Sequence, residues 1–141
     1  MAITAKRTYE TVGPINRLQG KLAAGATYYD GQLVVLNGGL FTIPTDAAGR
    51  IPFGILTGFG MQPGAGSKVV AGGDNTQDAE VIRGLVWVPF TGAAQSDVGL
   101  PFFFADNGDV TKTAGTKNRS VLCVGFKAGH VLLDLNNPVF A

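Results

Sequence analysis

Few residues of this sequence have the chemistry that catalysis or metal binding requires. The chain has one cysteine, Cys123, and one histidine, His130, so any Ser-His-Asp or Cys-His arrangement would depend on that histidine. These two side chains are also too few soft or borderline ligands for the usual zinc sites. Cys123 stands in the apolar run Val-Leu-Cys-Val, which predicts a small buried residue rather than a reactive thiol. His130 follows Ala128-Gly129, which predicts a place at a turn rather than a general base.

Two further patterns that can bind ligands are weak in this chain. Residues 60–68, GMQPGAGSK, contain the elements of a phosphate-binding loop, but Gly-Ser-Lys reverses the required order and a strand follows instead of a helix. A glycine-rich hairpin turn explains them better. Two acidic groups lack the ligand spacing of a calcium loop: Asp74 with Asp78 and Glu80, and Asp106 with Asp109. We therefore expect no metal and no cofactor.

Length and composition indicate one domain with few charges. The chain has 141 residues, of which 45% are hydrophobic and 15% charged, whereas about a quarter of residues are usually charged. Its 21 glycines and seven prolines interrupt it too often for long helices. A formal net charge of +1 is too small for the phosphate attraction of nucleic-acid binders. With no signal peptide or membrane span expected, we predict synthesis in the cytoplasm and neither a membrane nor a nucleic-acid partner.

Turn sequences divide the chain into short strands. Asp30-Gly31, Asn37-Gly38-Gly39 and Asp106-Asn107-Gly108 allow the positive φ angles that tight hairpins need, and a last hairpin is expected about Lys127-Ala128-Gly129. Short strands at this spacing predict an all-β fold, either a small β-sandwich or a β-barrel.

The first 24 residues differ from residues 25–141, which we expect to form a single β domain. Their apolar positions are isolated and Gly13-Pro14 interrupts them, which predicts an extended N-terminal arm. A short helix over residues 14–24, weakened by Gly20, is the alternative. The arm is either a disordered, solubilising terminus or a segment that adds to a partner as a strand. On the second view the candidate partner-binding residues are Lys6, Arg7, Tyr9, Val12, Ile15 and Arg17.

The longest predicted strand, residues 80–90, is apolar on both faces. An antiparallel strand of this kind covers the core with one face, so we expect another subunit or another chain to cover the second face. The aromatic residues here and in residues 101–105 can belong to the core, to a subunit interface or to a ligand pocket. Four of them are our candidates for the subunit interface: Trp87, Phe90, Phe102 and Phe104.

A series of short segments spans residues 26–135 in a characteristic order. They are GQLVVL from residue 31, PFGILTGF from residue 52, GLVWVP from residue 84, DVGLPFFF from residue 97, NGDVT from residue 107, VG at residue 124 and VLLDL from residue 131. In this order the chain resembles the capsid decoration, or cement, proteins of tailed bacteriophages. It departs from that family at two places. Family members more often have small or polar residues in place of Tyr28-Tyr29, and they more often have a valine-tyrosine pair in place of Phe103-Phe104.

The resemblance implies a β-tulip-like fold and a homotrimer that binds the mature phage head at three-fold and quasi-three-fold positions. It implies that the partner is the major capsid protein of the same virus, that the location is the outer surface of the capsid, and that the protein stabilises the head against the pressure of packaged DNA. A loose arm and a strand that is apolar on both faces agree with such a role.

Two other functional classes remain open. The first is a β-barrel that binds a ligand or a glycan, in a phage tail or receptor-binding device, with Trp87 and the phenylalanines as its platform. The second is a hydrolase built on His130 with Asp134 or Ser120, although no nucleophile-elbow motif accompanies that histidine. We expect a protein that is not an enzyme.

Overall fold

A computed structural model of the protein describes residues 2–58, 67–70, 75 and 77–140. Within them the chain forms eleven β-strands and one short 3₁₀ turn, Gln95–Asp97, and no α-helix. The strands are β1 Glu10–Lys21, β2 Ala26–Tyr29, β3 Leu33–Asn37, β4 Leu40–Thr42, β5 Ile51–Gly58, β6 Ser67–Val70, β7 Asp78–Pro89, β8 Pro101–Phe104, β9 Val110–Thr111, β10 Arg119–Lys127 and β11 His130–Phe140. The main sheet curls into a half-barrel, which confirms the predicted all-β class.

Strand β7 is the centre of the main sheet. The strands of the sheet follow the order β4-β3-β5-β7-β11-β10-β8-β9. β1 is not in this order, and it pairs with β7 in addition. β1 lies along one edge of β7 for almost the whole length of both strands. Two strands share the other edge of β7. β5 pairs with its residues 80–82, and β11 pairs with its residues 85–89. β2 and β6 form a separate two-stranded sheet.

Alternate residues of β7 enter two hydrophobic clusters on opposite faces of the main sheet. Ile82, Val86 and Val88 belong to the first cluster, together with buried residues of β8, β10 and β11. Ala79 and Val81 belong to the second cluster, with buried residues of β2, β4 and β6. At Ala79 and Val81 the chain itself therefore covers the second face of β7. The expectation that another subunit must cover this face of residues 80–90 is wrong at Val81, since residues of β2, β4 and β6 already do so.

Residues 10–21 of the predicted arm are part of the main sheet. They are extended, but they pair with β7 as strand β1, and the alternative helix over residues 14–24 does not form. Directly after the strand, Leu22 is fully buried in the second cluster. The segment is therefore not free to leave the domain as an arm.

A wide bulge explains why the sequence pattern of β1 is irregular. Between the pairs Val12–Leu85 and Asn16–Arg83, three residues of β1 stand opposite Gly84 alone. A Cβ atom at Gly84 would lie 3.1 Å from the Ile15 side chain and from the Pro14 carbonyl oxygen, so the bulge needs a glycine on β7.

The predicted turns are partly confirmed. Asn37 pairs with Leu40 across Gly38-Gly39, and Lys127 pairs with His130 across Ala128-Gly129. The turn around Asn107 joins β8 to β9 as predicted. The chain also turns at Asp30-Gly31, but no hairpin forms there, because β2 pairs with β6 and β3 pairs with β4 and β5.

Gly31 is the point at which the N-terminal segment crosses the turn between β2 and β3. The Arg7 amide donates a hydrogen bond to the Asp30 carbonyl oxygen (2.8 Å), and the Gly31 amide donates to the Leu56 carbonyl oxygen (2.6 Å). A Cβ atom at Gly31 would lie 1.7 Å from the Arg7 carbonyl oxygen. The crossing therefore tolerates only glycine at this position.

We expect Gly31→Ala to destabilise the protein far more than Gly129→Ala. Both glycines have positive φ, +86° and +76°, but the space around Gly129 is open. Both variants carry the cost of a left-handed alanine, roughly 1–2 kcal/mol, and Gly31→Ala adds the clash with Arg7. In urea titrations the free energy of unfolding should fall by about 2 kcal/mol more for Gly31→Ala. Equal losses for the two variants would contradict the close crossing.

Candidate functional site

Beyond Gly84 the second face of the main sheet carries a partly exposed group of apolar side chains. The register places Val12 beside Leu85, and Trp87 beside Leu132. Leu122 lies on the same face, two strands away, opposite Asp134. Val12 and Leu122 are 39% and 40% exposed, and the other three are half-buried. We call Val12, Leu85, Trp87, Leu122 and Leu132 the outer apolar patch.

Trp87 is fixed within the outer apolar patch by its neighbours. Gly125 lies beside the indole, since a Cβ atom there would make ordinary contacts with Leu132 at 3.4 Å and with the Trp87 ring at 3.9 Å. The Lys127 ammonium lies 4.6 Å from the centre of the Trp87 ring and 2.9 Å from a Glu10 carboxylate oxygen. An ion pair thus borders the patch and covers part of the ring.

Asp134 gives the outer apolar patch a polar centre. Its carboxylate accepts hydrogen bonds from the Asn136 amide (3.0 Å) and from the Asn137 side chain (3.2 Å). Nearby Arg83 donates to the Phe53 carbonyl oxygen (2.8 Å) and stacks 4.3 Å from the centre of the Phe53 ring. Burial lowers the pKa of Arg83, and the charge of Asp134 opposes this shift. A partner that covers the patch therefore meets the Asp134 carboxylate with both of its oxygens already accepting hydrogen bonds.

Arg7, a candidate partner-binding residue, is used inside the chain. Its guanidinium donates to the Gly108 carbonyl oxygen at 2.7 Å. Burial lowers the pKa of Arg7, and the neighbouring Asp106 raises it again. Lys6, the residue before it, is exposed. Of these two cations, Lys6 is the one available to a partner.

Asn107 holds the start of the chain in place. Its side-chain oxygen accepts a hydrogen bond from the Ile3 amide (2.8 Å), and its side-chain nitrogen donates to the Ile3 carbonyl oxygen (3.0 Å). Its own carbonyl oxygen accepts from the Leu33 amide (2.8 Å). Asn107 is only 6% exposed, although the sequence predicted no more than a turn residue there. The anchoring role of Asn107 becomes visible only through its hydrogen bonds with Ile3, which is far from it in sequence.

The other candidate residues of the arm divide between the two faces of β1. Val12 belongs to the outer apolar patch, whereas Ile15 packs against the first cluster. Arg17 forms an exposed ion pair with Glu80 at 2.7 Å. Tyr9 is 36% exposed and lies near this pair; burial is the main cause that raises its pKa. Val12, Tyr9 and Arg17 therefore remain accessible, and Ile15 is committed to the core.

The four aromatic candidates also separate. Phe102 and Phe104 are 0% and 2% exposed within the first cluster, so they offer no surface to a second subunit. Phe90 is half-buried and packs edge-on against Phe102, with ring centres 5.0 Å apart. Trp87 is half-buried in the outer apolar patch. Of the four aromatic residues, Trp87 and Phe90 alone stay candidates for a subunit contact.

The sequence analysis missed Leu122 and Leu132. The signal that could have found them is their alternation with buried residues along β10 and β11.

The residues proposed for a hydrolase do not come together. His130 pairs with Lys127 at one end of the β10–β11 pair, and Ser120 pairs with Val139 near the other end, seven residues along β10 or about 24 Å away at 3.4 Å per residue. Asp134 is engaged by Asn136 and Asn137. Cys123 is fully buried, as predicted, and burial raises the pKa of its thiol. The described residues therefore hold no assembled nucleophile, base and orienting carboxylate.

The described residues contain no group of three or more histidine, cysteine, aspartate or glutamate side chains placed to hold a metal ion. Asp106 accepts hydrogen bonds from the amides of Gly108 and Asp109, as in a turn. The glycine-rich residues 60–66 lie outside the described residues, and Ser67–Val70 form β6. No helix in the described part of the chain has the length and hydropathy to cross a membrane.

Comparison with known proteins shows a likeness in fold. No protein-family model and no curated protein matches this chain. Among solved structures, the chain is similar to a chain of "The capsid of Myoviridae Phage XM1", with a TM-score of 0.56 and 20% sequence identity. The alignment covers 96% of this chain and 92% of that chain. At this identity the likeness shows that the two chains share a fold.

We expect Asn107→Asp to release the first residues of the chain. The new carboxylate cannot donate to the Ile3 carbonyl oxygen, and it places a charge at a buried position beside Asp106. The free energy of unfolding should fall by about 1–3 kcal/mol, and trypsin should cut faster after Lys6 and Arg7. Asn37→Asp, at an exposed turn, is the control and should change neither. Unaltered cleavage of Asn107→Asp would disprove this anchoring role.

Proposed function

We propose that this protein is a non-enzymatic structural protein of a tailed-phage virion, a capsid decoration protein. The observation that carries the proposal is the shared fold with a phage-capsid chain over nearly the whole length of both chains. The segment order that resembles decoration proteins supports the same function independently. The separation of His130 from Ser120 supports a role without catalysis.

In the proposed role, the protein is a homotrimer on the outer surface of the mature head. It binds the major capsid protein of the same virus at three-fold and quasi-three-fold positions. A protein that binds the mature shell and not its precursor stabilises the mature shell by linkage, and many weak contacts around one particle add together. The head would thereby resist the pressure of packaged DNA.

The outer apolar patch is the surface that we assign to assembly. Val12 on β1 and Leu122 on β10, which are about two-fifths exposed, lose apolar area when a partner covers them, which favours association. Val12 was a candidate for capsid contact and Trp87 for subunit contact, and the register brings both to this one face. We propose that capsid and subunit contacts adjoin there. Arg17, which lies opposite Ile82, and Phe90, which packs against the first cluster, belong to the other face, so with Lys6 and Tyr9 they stay proposed contacts outside the patch.

The glycan-binding alternative has less support. Its platform required Trp87 and the phenylalanines together, but Phe102 and Phe104 are buried in the core. Lys127 also lies over the Trp87 ring, where a sugar would have to stack. Glycan screening that gives a saturable change in tryptophan emission would restore this alternative.

Mixing purified protein with mature heads and with procapsids tests the proposed function directly. We expect saturable binding to mature heads, in a copy number divisible by three, and a higher temperature of head disruption. Equal binding to both shells, or no gain in heat resistance, would contradict a decoration role. Deleting residues 1–20 is a poor test, because it would remove the partner of β7.

Val12→Glu should weaken attachment to heads, while Val69→Glu should not. Both substitutions place a carboxylate on an exposed strand valine, but Val12 lies in the outer apolar patch and Val69 lies on β6 and is 71% exposed. Burying an unpaired charge in an interface costs enough to reduce affinity at least tenfold, or about 1.4 kcal/mol. Copy number measured against protein concentration gives the affinity. Equal effects of the two variants would remove the patch from the proposed contact.

A further inference from the structure

The sequence contains the dipeptide Asn-Gly twice, at Asn37-Gly38 and at Asn107-Gly108. An asparagine followed by glycine is prone to spontaneous loss of its side-chain amide, because glycine has no Cβ atom to hinder the approach of its own backbone nitrogen. The first copy lies where β3 turns into β4, and the second lies in the turn that joins β8 to β9. The same reaction therefore has two potential sites in one molecule.

The reaction, deamidation, consumes only water. The glycine amide loses its proton to hydroxide, and its nitrogen attacks the asparagine Cγ atom. As this C–N bond forms, the Cγ–Nδ2 bond breaks, and the side-chain nitrogen takes a proton from water and leaves as ammonia. A second water opens the cyclic imide at either carbonyl group, which gives aspartate or isoaspartate. Because the glycine nitrogen must come close to Cγ, groups that hold the asparagine side chain or the glycine N–H slow the reaction.

Asn37-Gly38 is open to this reaction. Asn37 is exposed at the end of β3. Gly38 and Gly39 have φ +59° and +83°, and a Cβ atom built on either would meet no atom of the described residues within 4 Å. Solvent therefore reaches this dipeptide, and the two glycines allow its peptide plane to turn.

The N-terminal segment holds both residues of the second copy. The Asn107 side chain accepts a hydrogen bond from the Ile3 amide (2.8 Å) and donates one to the Ile3 carbonyl oxygen (3.0 Å). The Arg7 guanidinium donates to the Gly108 carbonyl oxygen at 2.7 Å. The Gly108 amide, which would supply the attacking nitrogen, donates to an Asp106 carboxylate oxygen at 2.8 Å. This neighbouring negative charge opposes the loss of a proton from that amide.

We propose that Asn107-Gly108 is a protected modification site, at which residues 2–7 suppress deamidation for as long as they stay in place. When this segment leaves, the hydrogen bonds from Ile3 and Arg7 are lost and the reaction can begin. The aspartate product has no N–H group to donate to the Ile3 carbonyl oxygen, and the isoaspartate product also lengthens the backbone. Release of the segment thereby becomes irreversible. This inference goes beyond the proposed function and does not depend on it.

The test incubates the purified full-length protein in a mildly alkaline buffer and follows both sites by peptide mass spectrometry. Trypsin separates the two asparagines into the peptides 22–50 and 84–112, so Asn37 is a reference within the same molecule. In the folded protein Asn107 should convert at least roughly tenfold more slowly than Asn37, because it reacts only after local opening. In urea the two rates should agree within about threefold. Equal rates in the folded protein, or an Asn107 that stays slow in urea, would overturn the proposal.

Ile3→Pro removes the amide donor to Asn107 and should speed deamidation there roughly tenfold, while Asn37 keeps its rate. Ala2→Pro places the same ring at the exposed residue before it, keeps the Ile3 amide and should change neither rate. If Ile3→Pro does not fold, Arg7→Gln loses only the guanidinium contact with the dipeptide and should still accelerate Asn107 alone. An unchanged Asn107 rate in these variants, or equal effects of Ile3→Pro and Ala2→Pro, would contradict the protection by residues 2–7.

Brief trypsin treatment of the aged, folded protein tests the irreversible step. Molecules that are cut after Arg7 should be enriched in the Asn107 product relative to uncut molecules, whereas conversion of Asn37 should be the same in both fractions. Equal conversion of Asn107 in the two fractions would mean that the segment returns after the reaction, and the proposal would then be wrong.

Discussion

The whole structure depends on β7 being paired along both edges and covered on both faces over its first half. Its edges are taken by β1 on one side and by β5 and then β11 on the other. Its alternating apolar residues enter two separate clusters, so the two cores lie on opposite sides of one strand. A strand that is buried on both faces is unusual for an antiparallel sheet, and it requires the small sheet β2-β6 as an extra layer.

The candidate surface arises where that extra layer stops. Up to Val81 the second face of β7 is closed by residues of β2, β4 and β6, but beyond Gly84 the described part of the chain places no such layer over Leu85 and Trp87. The sheet continues there through β11 and β10 with the same apolar alternation. The outer apolar patch is thus the uncovered continuation of the second face. This explains why residues of the predicted arm and of the predicted aromatic interface meet on one surface.

The sequence was sufficient to predict features that depend on neighbouring residues. The all-β class, the length of β7 and the turns at Gly38-Gly39 and Ala128-Gly129 follow from local alternation and turn chemistry. Features that depend on distant residues were missed. β1 was interpreted as an arm because its bulge opposite Gly84 hides the alternation, and Phe102 and Phe104 were assigned to an interface because core and interface residues have similar composition. The anchoring of Ile3 by Asn107 has no local signal at all.

The polar groups around the outer apolar patch set how it can be used. Val12 and Leu122 are still about three-fifths buried in the single chain, so each gives up only a modest apolar area when it is covered. Asp134 at the centre and the Glu10–Lys127 pair at the border oppose nonspecific association, since a partner must leave their charges hydrated or paired. One such contact is too weak to hold a single molecule firmly. In the symmetric assembly that we propose, the same contact would become strong through its number.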